Sequence, residues 1–199
     1  MEILTAEFAG SAAGPSGYPA DGLPQIAVAG RSNVGKSSLL NMLARKKALV
    51  KTSQVPGKTR LINFFLINKS GPPGAPFYLV DIPGFGYAKT GREEKRRMET
   101  AIETYFGKSG RLRGLLYLID IRIPDSPVDR EALAWLQEFE IPILAVATKG
   151  DKLSGAQAAK ALEAIRKHHG LPEDPILTSS DRKTGREAVL EQIGLLLAD

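Results

Sequence analysis

The chain has 199 residues, of which 43% are hydrophobic, so it can bury a sizeable core, and its length favours one α/β domain over two. It contains no cysteine, which excludes a disulfide scaffold, a thiolate metal site and a cysteine nucleophile. A formal net charge of +5 favours an anionic partner. No apolar run reaches the roughly 18 residues of a membrane helix, and MEILTAEFAG lacks the features of a secretory signal, so we expect a cytoplasmic protein without a membrane partner.

In chain order, the sequence predicts six short apolar strands. Most of them alternate with helices, whereas 61–67 and 77–81 are joined by the turn-rich SGPPGAP. Residues 9–24 are rich in Gly, Pro, Ala and Ser, so we expect them to be irregular. We divide the chain into an N-terminal lead-in over residues 1–22 and one domain over residues 23–199. The predicted strands are 25–30, 61–67, 77–81, 114–120, 141–148 and 175–180. The predicted helices are 36–46, 92–106, a segment that begins near Pro127, a segment between the capping box of Ser154 and Gly170, and a last helix to about Ala198. This alternation predicts a three-layer α/β fold, a mostly parallel six-stranded sheet with helices on both faces.

Residues 30–37, GRSNVGKS, fit the pattern G-x-x-x-x-G-K-[ST] between a predicted strand and a predicted helix. Backbone N–H groups can surround phosphate oxygens there because glycines leave room for them. The helix dipole and the Lys36 ammonium add positive charge, and the Ser37 hydroxyl can ligate Mg²⁺. The alternative is a Gly-rich turn that binds nothing. The motif predicts a phosphate-binding loop.

A second motif, TKGD at residues 148–151, directly follows a predicted strand. The Asp151 carboxylate can accept two hydrogen bonds from the N1–H and N2–H₂ edge of guanine, a donor pair that adenine lacks. The aliphatic stem of Lys149 can pack over the base. Alone, Thr-Lys-x-Asp is a common surface turn, but after a phosphate loop and at a strand end it predicts guanine selection.

Five segments occur in the order of the guanine-nucleotide motifs of translation-factor-type GTPases: 30–37, Thr59, 81–84, 148–151 and 178–180. More narrowly, PQIAVAGRSNVGKSSLLN, VPGKTRLINFF, LVDIPGFGYAK and ATKGDKL resemble the EngB/YihA (YsxC) family of bacterial ribosome-assembly GTPases, among the TrmE-Era-EngA-EngB-Septin-like P-loop proteins. The resemblance runs from about residue 22 onward. It implies a P-loop NTPase G domain, GTP/GDP and Mg²⁺ as ligands, and slow GTP hydrolysis. It further implies a nucleotide-dependent switch in assembly of the large ribosomal subunit, linked to cell division and septation.

The resemblance also implies roles for single residues. Ser37 and Thr59 would ligate Mg²⁺, with Asp81 holding the ion through a water. The Gly84 N–H would sense the γ-phosphate, and Lys36, Thr59 and Gly84 are the predicted catalytic residues. The nucleotide-binding residues that it implies are Gly30, Arg31, Ser32, Asn33, Val34, Gly35, Lys36, Ser37, Ser38, Gly57, Lys58, Thr59, Arg60, Leu61, Asp81, Ile82, Pro83, Gly84, Thr148, Lys149, Gly150, Asp151, Thr178, Ser179 and Ser180.

Two positions depart from common GTPase patterns. Many GTPases have Asn where this chain has Thr148, so we expect fewer contacts to the base and the loop rather than lost specificity. Ras-like enzymes have a water-orienting glutamine where this chain has Phe85, which has no donor or acceptor. We expect the Phe85 ring to turn away from the γ-phosphate or to pack on the switch, and Tyr87 to pack the start of the switch helix or to contact a partner.

Because Phe85 cannot position water, we expect hydrolysis to be slow unaided. The missing group would come from a bound partner or from a monovalent cation. Asn33 is the residue that potassium-activated relatives use to help hold K⁺. Asn33 could instead only brace the loop through its own backbone.

Ten basic residues fall in the segments 46–60 and 89–97, which we expect to move with the nucleotide. They are Lys46, Lys47, Lys51, Lys58, Arg60, Lys89, Arg92, Lys95, Arg96 and Arg97. Solvated loops and helices carry such charge too. Since the resemblance implies the large ribosomal subunit as partner, we expect salt-sensitive binding to ribosomal RNA through these segments. We expect no DNA partner and a monomer.

Two other functions stay open on the residues alone. A P-loop kinase acting on a small molecule or nucleotide would need an acceptor site, and TKGD would then be accidental. A nucleotide-degenerate, RNA-binding scaffold is disfavoured by the intact Lys36, Ser37, Thr59 and Asp81.

Overall fold

The computed structural model describes residues 1–50, 61–69, 75–85 and 92–198, apart from the side chains of residues 92, 94 and 95. Within these ranges the strands are β1 (Ala6–Ala12), β2 (Gln25–Gly30), β3 (Ile62–Ile67), β4 (Phe77–Asp81), β5 (Leu112–Asp120), β6 (Ile143–Thr148) and β7 (Ile176–Leu177). The helices are α1 (Lys36–Leu43), α2 (Arg92–Lys108), α3 (Pro127–Gln137), α4 (Gly155–His169) and α5 (Arg186–Ala198). No helix in the described part of the chain is long and apolar enough to cross a bilayer.

All of these strands form one sheet in the order β1-β3-β4-β2-β5-β6-β7. Strands β4, β2, β5, β6 and β7 are parallel, whereas β3 runs antiparallel to β4 and β1 runs antiparallel to β3. The predicted, mostly parallel sheet with helices on both faces is therefore confirmed. The predicted number of six strands is wrong, because β1 adds a seventh beside β3.

The seventh strand also corrects the irregular segment predicted for residues 9–24, since residues 9–12 belong to β1. Alanine, glycine and serine have little intrinsic preference for strands, so the local sequence gives a weak signal. The pairing partner supplies the order. Ala6 lies opposite Ile67 and Ala12 opposite Ile62, with one irregularity in the register between Phe8 and Gly10.

Two apolar cores lie on opposite faces of the sheet. Helices α2, α3 and α4 pack on one face, with Tyr105 and Leu133 among the buried side chains. Helices α1 and α5 pack on the other face, with Leu40 and Ile193 buried there. Since both faces are covered, the central strands are buried along their length, as in parallel sheets generally.

The carboxyl ends of the central strands meet at one edge of the sheet. Gly30, Asp81, Asp120 and Thr148 are the last residues of β2, β4, β5 and β6, and Asp120 lies directly opposite Thr148. Ligands of open parallel α/β sheets bind at this edge, outside the strand ends. The fold therefore brings the predicted motifs to the position where a ligand site is expected.

Candidate functional site

The loop between β2 and α1 takes a backbone shape that depends on its glycines. Gly30 has φ +152°, and a Cβ atom there would lie 2.7 Å from the Leu118 carbonyl oxygen. Gly35 has φ +112° and precedes Lys36, the first residue of α1. Because Gly35 is the N-cap, no side chain caps α1, and the N–H groups of its first turn are left for a ligand.

A buried carboxylate faces this loop from the end of β4. The Asp81 side chain is 1% exposed, and its Oδ1 contacts the Lys36 ammonium. Its Oδ2 accepts a hydrogen bond of 3.3 Å from Asn63 Nδ2. Ser11 Oγ donates in turn to Asn63 Oδ1 at 2.6 Å, so a residue of β1 orients the amide that holds Asp81.

Asn63 is a site residue that the sequence analysis missed. It lies opposite Asp81 in the register of β3 and β4. The available signal was a single amide side chain at the start of the apolar run LINFFLI, next to a strand that ends in a carboxylate.

The segment after β4 lies against the phosphate loop. Phe85 N–H donates to the Gly30 carbonyl at 3.1 Å, and the Ser32 N–H donates to the Phe85 carbonyl at 3.1 Å. A Cβ atom on Gly84 would lie 3.1 Å from the Ser32 nitrogen, so only glycine allows this approach without a shift. The three residues Ile82, Pro83 and Gly84 thus run beside the loop at residues 30–32.

The Phe85 ring is 8% exposed and packs on aromatic side chains of the neighbouring elements. Its centroid lies 6.3 Å from that of Tyr117 on β5 and 5.9 Å from that of Trp135 on α3. This packing agrees with the expectation that Phe85 does not position water.

The TKGD segment is fastened to the phosphate loop by two side chains. The Thr148 hydroxyl donates to the Val34 carbonyl at 2.6 Å, and its oxygen lies 3.2 Å from the Ile119 carbonyl. Lys149 Nζ donates to the Asn33 carbonyl at 2.7 Å. Asn33 is thus braced through its backbone, and its own φ is +63°. The threonine therefore has a direct contact to the loop, and the expected smaller number of contacts to the base and the loop stays a prediction.

Asp151 presents a charged carboxylate beside this loop. Ser179 Oγ donates to Oδ1 at 2.7 Å, and Lys152 Nζ lies 2.7 Å from Oδ2. Hydrogen bonds from Lys152 and Ser179 lower the pKa of Asp151 to about 2. Gly150 N–H donates to the Thr178 carbonyl at 2.9 Å, which holds residues 178–180 against the TKGD segment.

Asp120, at the end of β5, is a second residue that the sequence analysis missed. Its buried carboxylate accepts hydrogen bonds from Arg122 Nε at 2.9 Å and Nη2 at 2.7 Å, and from Lys149 Nζ at 2.8 Å. Burial raises the pKa of Asp120, but these hydrogen bonds outweigh burial and lower the pKa to about 2. An acidic residue at the end of an apolar strand beside β6 was the signal that could have identified it.

The structure brings residues 30–38, 81–84, 148–151 and 178–180 to one edge of the sheet. Leu61, which is 41% exposed, lies at the same edge directly before β3. The predicted residues Gly57, Lys58, Thr59 and Arg60 lie outside the described ranges, as does Tyr87.

The predicted basic segments are described in part. Arg96 and Arg97 are exposed on α2, where Arg97 forms an exposed ion pair of 2.6 Å with Glu93. Lys46 and Lys47 are both exposed, and Lys46 donates to the Ala6 carbonyl of β1. Lys51, Lys58, Arg60 and Lys89 lie outside the described residues, and of Arg92 and Lys95 only the backbone is described.

The donor set at this edge fits a hard cation held mainly by a nucleotide. Among the described residues no group of three or more His, Cys, Asp and Glu side chains is placed to hold a metal. The oxygen donors near Lys36 are the Ser37 hydroxyl and the Asp81 carboxylate, and oxygen is the ligand atom that Mg²⁺ prefers. Mg²⁺ commonly keeps waters and takes its other oxygens from substrate phosphates.

Comparison with known proteins gives matches over most of the chain. The family model of a "50S ribosome-binding GTPase" matches residues 25–149. The "Probable GTP-binding protein EngB" of Pelotomaculum thermopropionicum is 43% identical over 196 residues, which cover 98% of this chain and 96% of that protein. Its counterpart in Clostridium perfringens is 42% identical over 195 residues, with 97% and 96% covered.

Solved structures agree on the fold. A crystal structure of a probable GTP-binding protein engB has a TM-score of 0.70 at 22% identity, covering 87% of this chain and 98% of that one. Era in complex with MgGDPNP and nucleotides 1506–1542 of 16S ribosomal RNA has a TM-score of 0.70 at 22% identity, covering 86% of this chain and 55% of Era.

Proposed function

Because the chain belongs to the EngB-type GTP-binding proteins of the P-loop GTPase family, which hydrolyse GTP, we propose that the loop at residues 30–38 and the TKGD segment form one guanine-nucleotide site. One observation carries this proposal. Lys149 and Thr148 each bond a carbonyl of the phosphate loop, at Asn33 and Val34. The segment proposed to read the base is thereby held at a fixed distance from the loop proposed to hold the phosphates.

Within this site the phosphates lie over the N-terminus of α1. The Ser32 and Val34 N–H groups donate to carbonyls within the protein. The N–H groups of Asn33, of Gly35 and of the first turn of α1 are therefore the ones proposed to donate to phosphate oxygens, and the Lys36 ammonium adds a point charge. Lys36 contacts Asp81 in the structure, so the phosphates and this carboxylate share the same ammonium. Ser37 and Asp81 would hold Mg²⁺, Asp81 through a water, with Thr59 as the proposed third contributor. Bound Mg²⁺ would neutralise negative charge on the phosphates.

The base is read by Asp151, which is fixed by Ser179 and charged at neutral pH. Two hydrogen bonds from guanine N1–H and N2–H₂ satisfy this carboxylate. The backbone N–H groups of Thr178 and Ser179 donate to carbonyls within the protein, so they are not open to the base as predicted. The Ser180 N–H is the group proposed to meet O6. The test is calorimetric competition: GTP should displace GDP, and ATP should not. Displacement of GDP by ATP as readily as by GTP would overturn the proposed site.

Hydrolysis in the isolated protein is proposed to be slow. The Phe85 ring is buried between Tyr117 and Trp135, and the Gly84 N–H is the group proposed to sense the γ-phosphate. The missing catalytic group then comes from the bound partner or from a monovalent cation near Asn33. Turnover of GTP in KCl and in NaCl at equal ionic strength separates these sources, since equal rates leave only the partner.

Membership in a GTPase family decides against the kinase alternative. It also disfavours a scaffold without nucleotide, and Lys36 stands at the first residue of α1, where a phosphate-binding lysine is expected. A Lys36→Ala variant should therefore lose biological activity.

The proposed partner is the large ribosomal subunit, with the protein acting as a nucleotide-dependent switch in its assembly. The matching family model is described as a 50S ribosome-binding GTPase, and 50S is the large subunit. Exposed arginines on α2, directly after the segment proposed to respond to the nucleotide, give a surface that suits phosphate groups. The link to cell division belongs to the same proposal, downstream of ribosome assembly.

Charge reversal tests the contact. Arg96→Glu combined with Arg97→Glu should weaken co-sedimentation with large subunits and lower the salt dependence by about two contacts, without changing GDP affinity. Lys160→Glu combined with Lys167→Glu, on the exposed side of α4, changes the net charge equally and serves as the matched control. Subunit binding that survives the α2 reversal excludes this surface as the contact.

A further inference from the structure

The side chain of Arg31, the second residue of the phosphate loop, leaves the loop and reaches α3. Its Nε lies 3.3 Å from Oδ2 of Asp129, in the first turn of that helix. The Arg31 side chain is 23% exposed, whereas that of Asp129 is fully buried. Neither atom has a hydrogen-bond partner among the described residues, so their contact is an ion pair. Removal of one partner of such a pair leaves a buried charge uncompensated.

Asp129 is itself held rigidly. Its Oδ1 accepts a hydrogen bond of 2.9 Å from the Tyr117 hydroxyl, which projects from β5. Its backbone N–H donates to Ser126 Oγ at 3.3 Å, which caps α3. The carboxylate that receives Arg31 therefore belongs to the frame formed by β5 and α3.

The same frame also holds the segment after β4. The Phe85 ring packs on Tyr117 and Trp135, and the Phe85 backbone bonds to the Gly30 carbonyl and the Ser32 N–H. Arg31 lies between those two loop residues. Tyr117 thus contacts both the ring of Phe85 and the partner of Arg31, which joins the start of the phosphate loop to the corner at Gly84.

We propose that Arg31 and Asp129 form a positioning pair for GTP hydrolysis, which fixes the start of the phosphate loop relative to Gly84 and Phe85. The proposal rests on the use of residues 30–38 as the phosphate site. The Ser32 nitrogen and Gly84 meet at this corner, and Gly84 is the residue proposed to sense the γ-phosphate. GDP has no γ-phosphate. Loss of the pair therefore lowers kcat and leaves GDP affinity almost unchanged.

A double-mutant cycle tests the pair. Arg31→Gln, Asp129→Asn and the double variant are compared for kcat, KM, GDP affinity and the midpoint of thermal unfolding. Each single change should lower kcat about tenfold with less than about threefold change in GDP affinity, and the double variant should be no slower than the slower single variant. The adjacent, exposed Arg130→Gln is the matched control and should keep the kcat of the wild type.

Two results would overturn the proposal: an unchanged kcat in Arg31→Gln, with or without a rise in KM, or additive losses in the double variant. Arg31 is partly exposed, so Arg31→Gln gives an answer even if Asp129→Asn does not fold. Failure of the wild-type protein to bind GDP would instead refute the proposed nucleotide site.

Discussion

Replacement of Asp151 by Asn should exchange the preferred base. Ser179 donates to Oδ1, so the amide oxygen stays at that position and the amide nitrogen takes the place of Oδ2. The nitrogen then faces one of the two guanine donors. The charge-assisted hydrogen bond from that guanine donor is lost, and the donor is left without an acceptor. Together these effects cost about 3 kcal/mol or more of binding free energy, which lowers GDP affinity at least about 100-fold. Xanthine carries a carbonyl where guanine has N2–H₂, so Asp151→Asn should prefer xanthosine diphosphate.

Competition of GDP and xanthosine diphosphate against a fluorescent nucleotide measures both affinities on one preparation. Lys152→Ala is the control, because it removes the ion pair at Oδ2 and keeps the carboxylate. Exposed ion pairs contribute about 0–1 kcal/mol, so this variant should stay within a few fold of the wild type in GDP affinity and keep its base preference. Equal GDP affinity in Asp151→Asn and the wild type would show that this side chain does not read the base.

Three further changes test the surrounding structure. Thr148→Val keeps the shape of the side chain and removes the hydrogen-bond donor to the Val34 carbonyl. Titration should show GDP affinity reduced about tenfold, with the preference for guanine over adenine intact. An unchanged affinity would show that this bond does not contribute to nucleotide binding. Because its pKa is lowered, the Asp120 carboxylate stabilises the fold by about 2 kcal/mol above about pH 4, and this contribution is lost as the pH falls toward 2. In urea titrations, the unfolding free energy of Asp120→Asn should therefore fall less over that pH range than that of the wild type. Equal declines in the two proteins would contradict the reasoning. Arg186 is buried and donates to the Leu43 carbonyl at the end of α1. Arg186→Met should therefore lower the unfolding free energy by about 2–3 kcal/mol. A decrease smaller than the error of the urea titration would show that these hydrogen bonds do not stabilise the fold.

The sequence predicted the parts of the fold that have a local cause. The glycines of the phosphate loop and the capping box of Ser154 with Gln157 each act within a few residues, and the structure contains them as expected. Gly170 ends α4 with φ +62° for the same local reason. The central strands were visible because both faces of the sheet are covered.

The parts that sequence reasoning missed depend on distant partners. β1 is ordered by its pairing with β3, since its own residues have little strand preference. The role of Asp129 could not be predicted from the sequence, because its partner Arg31 is 98 positions away in the chain. The role of Asp120 likewise depends on Lys149, a residue of the next strand end.

The pairing of β1 with β3 determines which edge of the sheet a partner can extend. β3 has a neighbour on each side, so its backbone N–H and C=O groups are already used within the protein. On this side of the sheet, a peptide that binds by strand addition must therefore align with the outer side of β1, next to the exposed ring of Phe8. Removal of the first twelve residues would leave β3 as an unpaired edge strand, and it would uncover the Phe65 ring of β3, which Phe8 now contacts. A truncated protein of this kind should self-associate.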